Sequence, residues 1–266
     1  MPIPTAAAPD QVSISHCLLD AAGVAISAQG AEQPYYAAST IKLHVMLAVL
    51  RAADRGDLNL DDAVTATRSF TGADATTFTL GGDHLDPTHP ADGEQVSVRE
   101  LLQRMIDRSS NEATDHLVEL VGLEAVAEAI ASLGLQETRV ERLIGDASAL
   151  ATGATNETSA ADLARTMRAL VQQDGSAEST PAHVDLARSV LRAQRIPVIA
   201  SALADGVDWG SKSGWVDGYR HDVAFVGDPD SNELRVLAVM TAGLAPEAAD
   251  EKIASLVREL LPDVAA

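Results

Sequence analysis

Cysteine occurs once in the 266 residues, at Cys17, so no disulfide can close within the chain. Cys17 falls in an apolar stretch and reads as core rather than as a reactive thiol. Aromatic residues make up only 3% of the sequence, so Leu, Val, Ile and Ala must fill the core of a chain that is 46% hydrophobic. No apolar run is long enough to span a bilayer, which argues against a membrane partner. Residues 1–10 have neither the positive cluster nor the apolar core of a signal peptide. A cytoplasmic protein fits, and an exported one already relieved of its signal would look the same. Positive charge is scarce: 19 Lys and Arg face 39 Asp and Glu, a formal net charge of −20. That field repels a phosphate backbone and excludes nucleic acid as a natural partner.

Lysine is the scarcest charged residue, with Lys42, Lys212 and Lys252 set against sixteen arginines. A lysine kept where arginine is otherwise used points to a task arginine cannot perform, such as giving up a proton.

The length suits one large domain or two small ones sharing a core. Residues 11–29 alternate as a hairpin with a turn near 20–23. Residues 40–55 predict an almost wholly apolar, buried helix with Ser39 at its start. Residues 70–94 are rich in Gly, Asp, Thr and Pro and read as a long loop. Helices follow over 97–107, 111–121 and 123–133, the last ended by Gly134. Residues 141–158 read as a second loop, then helices occupy 159–173, capped by Ser159, and 183–194. Strands follow over 207–212, 220–226 and 234–241, and Pro246 opens a final helix. Strands at both ends and helices between them predict an α/β (α+β) protein: an antiparallel sheet built from both termini and flanked by helices, with a mainly helical inserted subdomain. The corresponding division is 1–48 with 195–266 for the sheet part and 49–194 for the helical part, with the active site at their junction.

Three short motifs carry chemistry. In Ser39-Thr40-Ile41-Lys42, positions three apart share a helix face, so the Lys42 amine can approach the Ser39 hydroxyl. Burial disfavours a charged lysine, and a neutral amine can take the serine proton. The tetrapeptide alone is common; the apolar sequence around Lys42 is what separates it from a surface lysine. In Ser109-Ser110-Asn111, between two helices, Ser109 can relay a proton and Asn111 can bind an amide; a simple helix cap at Ser110 or Asn111 is the plainer alternative. In Lys212-Ser213-Gly214, glycine permits close approach of the backbone, and the N–H of Trp215 can join that of Ser39 as a pair of oxyanion donors. A lysine that keeps a strand edge soluble is the plainer alternative for Lys212.

Order and spacing join the three: 70 residues separate Ser39 from Ser109, and 103 separate Ser109 from Lys212. The set resembles that of class A β-lactamases and penicillin-binding proteins, the penicillin-recognising serine enzymes. The stretches "YYAASTIKL", "MIDRSSNEATDHLVELVG", "TSAADLARTMRAL" and "WGSKSGWVDGYRHDVAFV" extend the resemblance over most of residues 11–260. It implies a β-lactamase/transpeptidase-like fold. It also implies roles for individual residues. Ser39 is the acylated nucleophile and Lys42 its base or relay. Ser109 protonates the leaving nitrogen. Asn111 holds a substrate amide, and Lys212 and Ser213 receive the carboxylate of a small-molecule substrate. Arg220 supports that carboxylate, or is structural beside His221 and Asp222. No cofactor and no metal is called for, and the oligomeric state is left open.

The chain departs from the family pattern in three places. Ser110 replaces the commoner Asp and Ser213 the commoner Thr, both mild changes. The third is larger. The family places a glutamate in the loop after the second motif, where it activates the water that clears the acyl-enzyme. Aligning Arg142 with the family's basic residue puts Ile144 or a near neighbour there. Glu141, Asp146 and Glu157 are the carboxylates in reach by sequence. The expectation is a serine hydrolase of β-lactamase type, opening a β-lactam or a related amide or ester and slow in deacylation. A D-alanyl-D-alanine carboxypeptidase, an esterase, an acyl-transfer enzyme and a non-catalytic binding protein are the alternatives. The string Asp83-His84-Leu85-Asp86-Pro87-Thr88-His89 holds metal-capable side chains but matches no helical ligand spacing.

Overall fold

The structure, a computed structural model, describes residues 11–82, 85–173 and 180–266. The N-terminal segment read as lacking a signal, and Asp83 and His84 of the metal-capable string, lie outside the described residues. In chain order the elements are β1 (Ser13–Asp20), β2 (Ala25–Gln29), β3 (Tyr35–Tyr36), a 3₁₀ turn (Ala38–Ile41), α1 (Lys42–Arg55), β4 (Ala63–Thr65), β5 (Ser69–Thr71), β6 (Thr77–Thr79) and β7 (Gln95–Ser97). Then come α2 (Val98–Asp107), α3 (Asn111–Val121), α4 (Leu123–Ser132), β8 (Arg139–Val140), α5 (Ala147–Ala151), β9 (Asn156–Thr158), α6 (Ala160–Val171) and α7 (Pro181–Arg192). A second 3₁₀ turn (Ile199–Ala202) leads to β10 (Trp209–Val216), β11 (Tyr219–Val226), β12 (Arg235–Ala242) and α8 (Pro246–Leu260). Among the described residues, no helix is long and apolar enough to cross a membrane.

The central sheet is antiparallel, in the order β10-β11-β12-β1-β2, so the first strand of the chain lies between the last strand and β2. Side chains alternate faces along a strand, and here both faces are buried. Val223 and Phe225 of β11 with Val236, Ala238 and Met240 of β12 enter the larger core, which α1 and α6 also fill. Ala224, Val226, Leu237 and Val239 point the other way, to Ile253, Leu256 and Val257 of α8. The helix α1 is buried almost end to end, as its apolar sequence predicts. The helices α6 and α7, although they belong to the 49–194 segment, pack on the sheet.

Several boundaries differ from the sequence expectation. The stretch 70–94 is not all loop, because a small β5–β6 hairpin forms with Phe70 opposite Phe78. The stretch 141–158 contains α5, capped by Asp146, and β9. The strand β10 does not end at Lys212 but runs to Val216, because the hairpin turn is only two residues long, with Gly218 at φ 80°. Lys212 therefore sits in mid-strand.

Candidate active site

The 3₁₀ turn places Ser39 and Lys42 three residues apart, a spacing at which 3₁₀ side chains eclipse. Ala38, just before Ser39, adopts φ 47°, a left-handed conformation costing roughly 1–3 kcal/mol that an ordinary turn would avoid. The edge strand β10 passes directly over this turn. A Cβ on Gly214 would lie 2.9 Å from Thr40 N and 3.0 Å from Ser39 N. Only glycine lets the two backbones approach so closely, and the approach sets the neighbouring Trp215 beside Ser39. Ser39, Ser109, Asn111, Ser213, Trp215 and Arg220 line one cavity of about 270 Å³, together with Leu85, Arg108 and Ile196.

Behind this wall lie two fully buried lysines. Lys42 Nζ donates to Ser109 O at 2.7 Å, to Ser109 Oγ at 3.0 Å and to Asn111 Oδ1 at 2.8 Å. Lys212 Nζ donates to Ser109 Oγ at 3.1 Å and to Ser213 O at 2.7 Å. The Ser109 hydroxyl thus bridges the two amines. Ser109 has φ 60°, a second left-handed residue at the site, and this turn aims both its carbonyl and its hydroxyl at Lys42. Ser110 is the helix cap, accepting from Ala113 N at 3.2 Å, which frees Asn111 to face Lys42. The solubilising role considered for Lys212 is excluded by its complete burial. The hydrogen bonds of Lys42 go to Ser109 and Asn111.

Burial, and then the charge of Lys212, push Lys42 well below the ordinary lysine range, while Asp115 and Glu112 pull it up. Burial brings Lys212 down to about 7, against the pull of Asp222 and Asp107. Asp222, fully buried on β11 directly opposite Ser213, is raised by burial to about 6. One of its oxygens accepts from Val198 N and Ile199 N at 2.8 Å each, holding the second 3₁₀ turn, and the other has no partner. Lys212 is therefore held where protonation is reversible near neutrality, and Lys42 is displaced in the same direction, which suits proton transfer.

Arg220 reaches the cavity but is clamped by Asp250 of α8, at 2.6 and 3.1 Å. None of the three loop carboxylates lines the cavity, and each has partners elsewhere. Asp146 caps α5 and also accepts from Ala73 N at 2.9 Å. Glu141 accepts from Thr155 N at 2.9 Å. Glu157 is ion-paired with Arg139. Sequence reasoning missed the buried acids Asp115, Asp222 and Glu112. Glu112 accepts from Asp86 N at 3.1 Å and from Ser110 Oγ at 3.1 Å, and so docks the loop that carries Leu85 into the cavity. A signal existed for two of them. Asp115 and Glu112 follow Asn111 on one helix, and an acid on the inner face of a helix calls for a partner. In the metal-capable string, Asp86 is taken up by Arg104 and Thr88, and among the described residues no group of His, Cys, Asp and Glu is placed to hold a metal.

An antiparallel sheet covered on both faces, with a serine turn beneath its edge strand and two buried lysines meeting at a second serine, defines the β-lactamase/transpeptidase-like class of fold. The beta-lactamase enzyme family, Beta-lactamase2, matches residues 4–262, and the chain belongs to it. The crystal structure of a beta-lactamase from Sphaerobacter thermophilus DSM 20745 superposes with a TM-score of 0.78 at 27% identity, covering 95% of this chain and 91% of that one. PBP-A gives a TM-score of 0.75 at 20% identity over 96% of this chain and 92% of that one, a likeness of fold, and a mutant of it was solved as an acyl-enzyme complex with penicillin G. Extended-spectrum beta-lactamase PER-1 of Pseudomonas aeruginosa is 34% identical over 103 residues, 38% of this chain. The chain spans about a third of the length of that curated relative, 32%. Family and fold make the chain a β-lactamase-like hydrolase.

Proposed function

We propose that the chain is a serine hydrolase that forms an acyl-enzyme on Ser39, opening a β-lactam or a related amide or ester, and that it deacylates slowly. The observation that carries the reading is the Ser109 hydroxyl, 3.0 Å from Lys42 Nζ and 3.1 Å from Lys212 Nζ, in the wall of the cavity that Ser39 also lines. In this reading Ser39 Oγ attacks the carbonyl carbon and its proton passes to the neutral Lys42 amine. The amine returns a proton through Ser109 Oγ to the leaving nitrogen, and Lys42 is neutral again. The N–H groups of Ser39 and Trp215 stabilise the oxyanion. Asn111 binds the substrate's side-chain amide. Ser213 and the Lys212 charge, with Arg220 behind them, receive its carboxylate.

Slow deacylation follows from Ile144 and from the engagement of Glu141, Asp146 and Glu157, since an absent general base forfeits roughly 10²–10⁴-fold in rate. The same observation favours a second reading, a peptidase or acyl-transfer enzyme whose acyl group passes to an acceptor other than water. Incubation with a fluorescent penicillin, followed by mass spectrometry, should locate one adduct on Ser39. Ser39→Ala should abolish labelling and any turnover of nitrocefin or p-nitrophenyl esters. Lys42→Arg should be inactive because arginine supplies no neutral amine. Absence of any adduct with both penicillins and activated esters overturns the reading in favour of a binding protein.

A further inference from the structure

Asp115 is completely buried on α3, one helical turn beyond Asn111. Residues four apart on a helix are neighbours, with Cβ atoms about 5–6 Å apart. The Asn111 amide oxygen is itself 2.8 Å from Lys42 Nζ, so Asp115 stands in the next position along the same face. Its two oxygens are used unequally. Oδ1 accepts the Ile144 N–H at 2.8 Å. Oδ2 is buried and has no hydrogen-bond partner. A carboxylate left half unpaired in the interior is costly, and the cost falls if the group carries a proton or faces a cation.

The charged and titratable groups around the pair are few. Lys42 on α1 is faced by Lys212 from β10 and by Glu112 and Asp115 from α3. Asp115 is faced by Lys42, by Glu119 on its own helix and by Arg142 from the loop. Burial moves the two groups in opposite directions: Asp115 is held well above the usual carboxylate range and Lys42 well below the usual lysine range. The two proton affinities are therefore drawn toward each other. The loop contact makes the position more telling, because the amide that Asp115 binds belongs to Ile144, where the family's loop glutamate is expected.

We propose that Asp115 and Lys42 share one proton and titrate as a pair, so that Asp115 sets the pH at which Lys42 becomes a base. The exchange runs between Lys42–NH₃⁺ with Asp115–COO⁻ and Lys42–NH₂ with Asp115–COOH, with the same proton count and net charge on both sides. Asp115 acts through Lys42 and is a positioning residue. It supplies from α3 the carboxyl partner that the loop lacks, while the same side chain ties the loop down. The consequence for acylation rests on the function proposed above; the pairing itself does not.

The scarcity of lysine makes the test direct. Growth on ¹³Cε-lysine labels only Lys42, Lys212 and Lys252, and Lys42→Arg assigns the first of these. Asp115→Asn keeps an oxygen for the Ile144 N–H but has no carboxyl group to titrate. A shared proton requires the Lys42 midpoint to fall in Asp115→Asn by at least about one pH unit, a tenfold change in the amine to ammonium ratio. The acid limb of the acylation rate should move by the same amount. A Lys42 titration that superimposes on wild type overturns the proposal, because a merely structural Asp115 is replaced by Asn without effect on Lys42. Should Asp115→Asn fail to fold, ¹³Cγ-aspartate labelling of the wild-type chain decides the matter. Coupled groups respond at each other's steps, whereas an Asp115 carbon insensitive to the Lys42 step overturns the pairing. The titration is read without substrate, so it stands even if Ser39 proves not to be acylated.

Discussion

Lys212 is the residue whose chemistry depends most on its surroundings. Complete burial brings it down to about 7 from an ordinary 10.5, and Asp222 is raised to about 6 from 3.8. The signs follow by linkage. Between about pH 4 and 6 the folded chain holds a proton on Asp222 that the unfolded chain has lost, so stability falls as pH rises through that window. Between about pH 7 and 10.5 the unfolded chain holds a proton on lysine that the folded chain lacks, so stability rises with pH there. Urea unfolding across pH should show both slopes, with Asp222→Asn flattening the first and Lys212→Met the second. If Lys212 is the carboxylate receptor, kcat/KM should fall above a free-enzyme midpoint near 7 as its charge is lost. In Lys212→Arg that limb should move upward by more than a unit, since arginine stays charged. An unchanged limb removes Lys212 from substrate binding. The sequence makes the two lysines conspicuous because lysine is rare here, and it hints at Asp115 on the helix that carries Asn111, but Asp222 is invisible in it. An aspartate followed by apolar residues looks the same whether it faces solvent or a buried amine, and only the pairing of β11 beside β10 and the packing of α3 against α1 decide.

At the scale of elements, the site depends on one close approach, β10 over the 3₁₀ turn. Gly214→Ala places a Cβ within 2.9–3.1 Å of Thr40 N, Ser39 N and Ala37 O, all backbone atoms that cannot swing aside. Overpacking of this kind costs roughly 1–3 kcal/mol. The displaced strand should also misalign the Ser39 and Trp215 N–H groups, for a loss of about 10²-fold in acylation. A thermal melt together with the labelling rate checks this: a drop in Tm without a drop in rate would show that the approach is structural only. The loop element makes a complementary prediction. Ile144→Glu puts a carboxylate on the backbone position that Asp115 anchors, and it should shorten the acyl-enzyme lifetime by about tenfold or more. Time-resolved mass spectrometry of the penicillin adduct measures it. Elements with strong periodicity, such as α1, α6, α8 and the terminal strands, were readable from the sequence. The β5–β6 hairpin and α5 were not. Asp146 ties the two together, capping α5 and accepting from Ala73 N in the hairpin turn, a long-range contact that local pattern does not reveal.

Over the whole molecule, the long-range field and the local site have opposite signs. The chain carries a formal net charge of −20, whereas Arg108, Arg220 and Lys212 cluster around the cavity. An anionic β-lactam approaching from a distance meets repulsion, and within a few ångströms it meets attraction. Salt separates the two, because the Debye length falls from about 30 Å at 0.01 M to about 8 Å at 0.15 M and about 3 Å at 1 M. The first step screens the distant carboxylates while leaving contacts in the cavity largely intact, so kcat/KM or the acylation rate constant for an anionic β-lactam should rise. The second step screens the contacts themselves, and the rate should fall again. A neutral p-nitrophenyl ester should show neither change. A monotonic fall from the lowest salt would mean that the cationic cavity, rather than the net charge, governs the encounter. In that case the acidic surface acts on solubility and the site recruits its substrate alone.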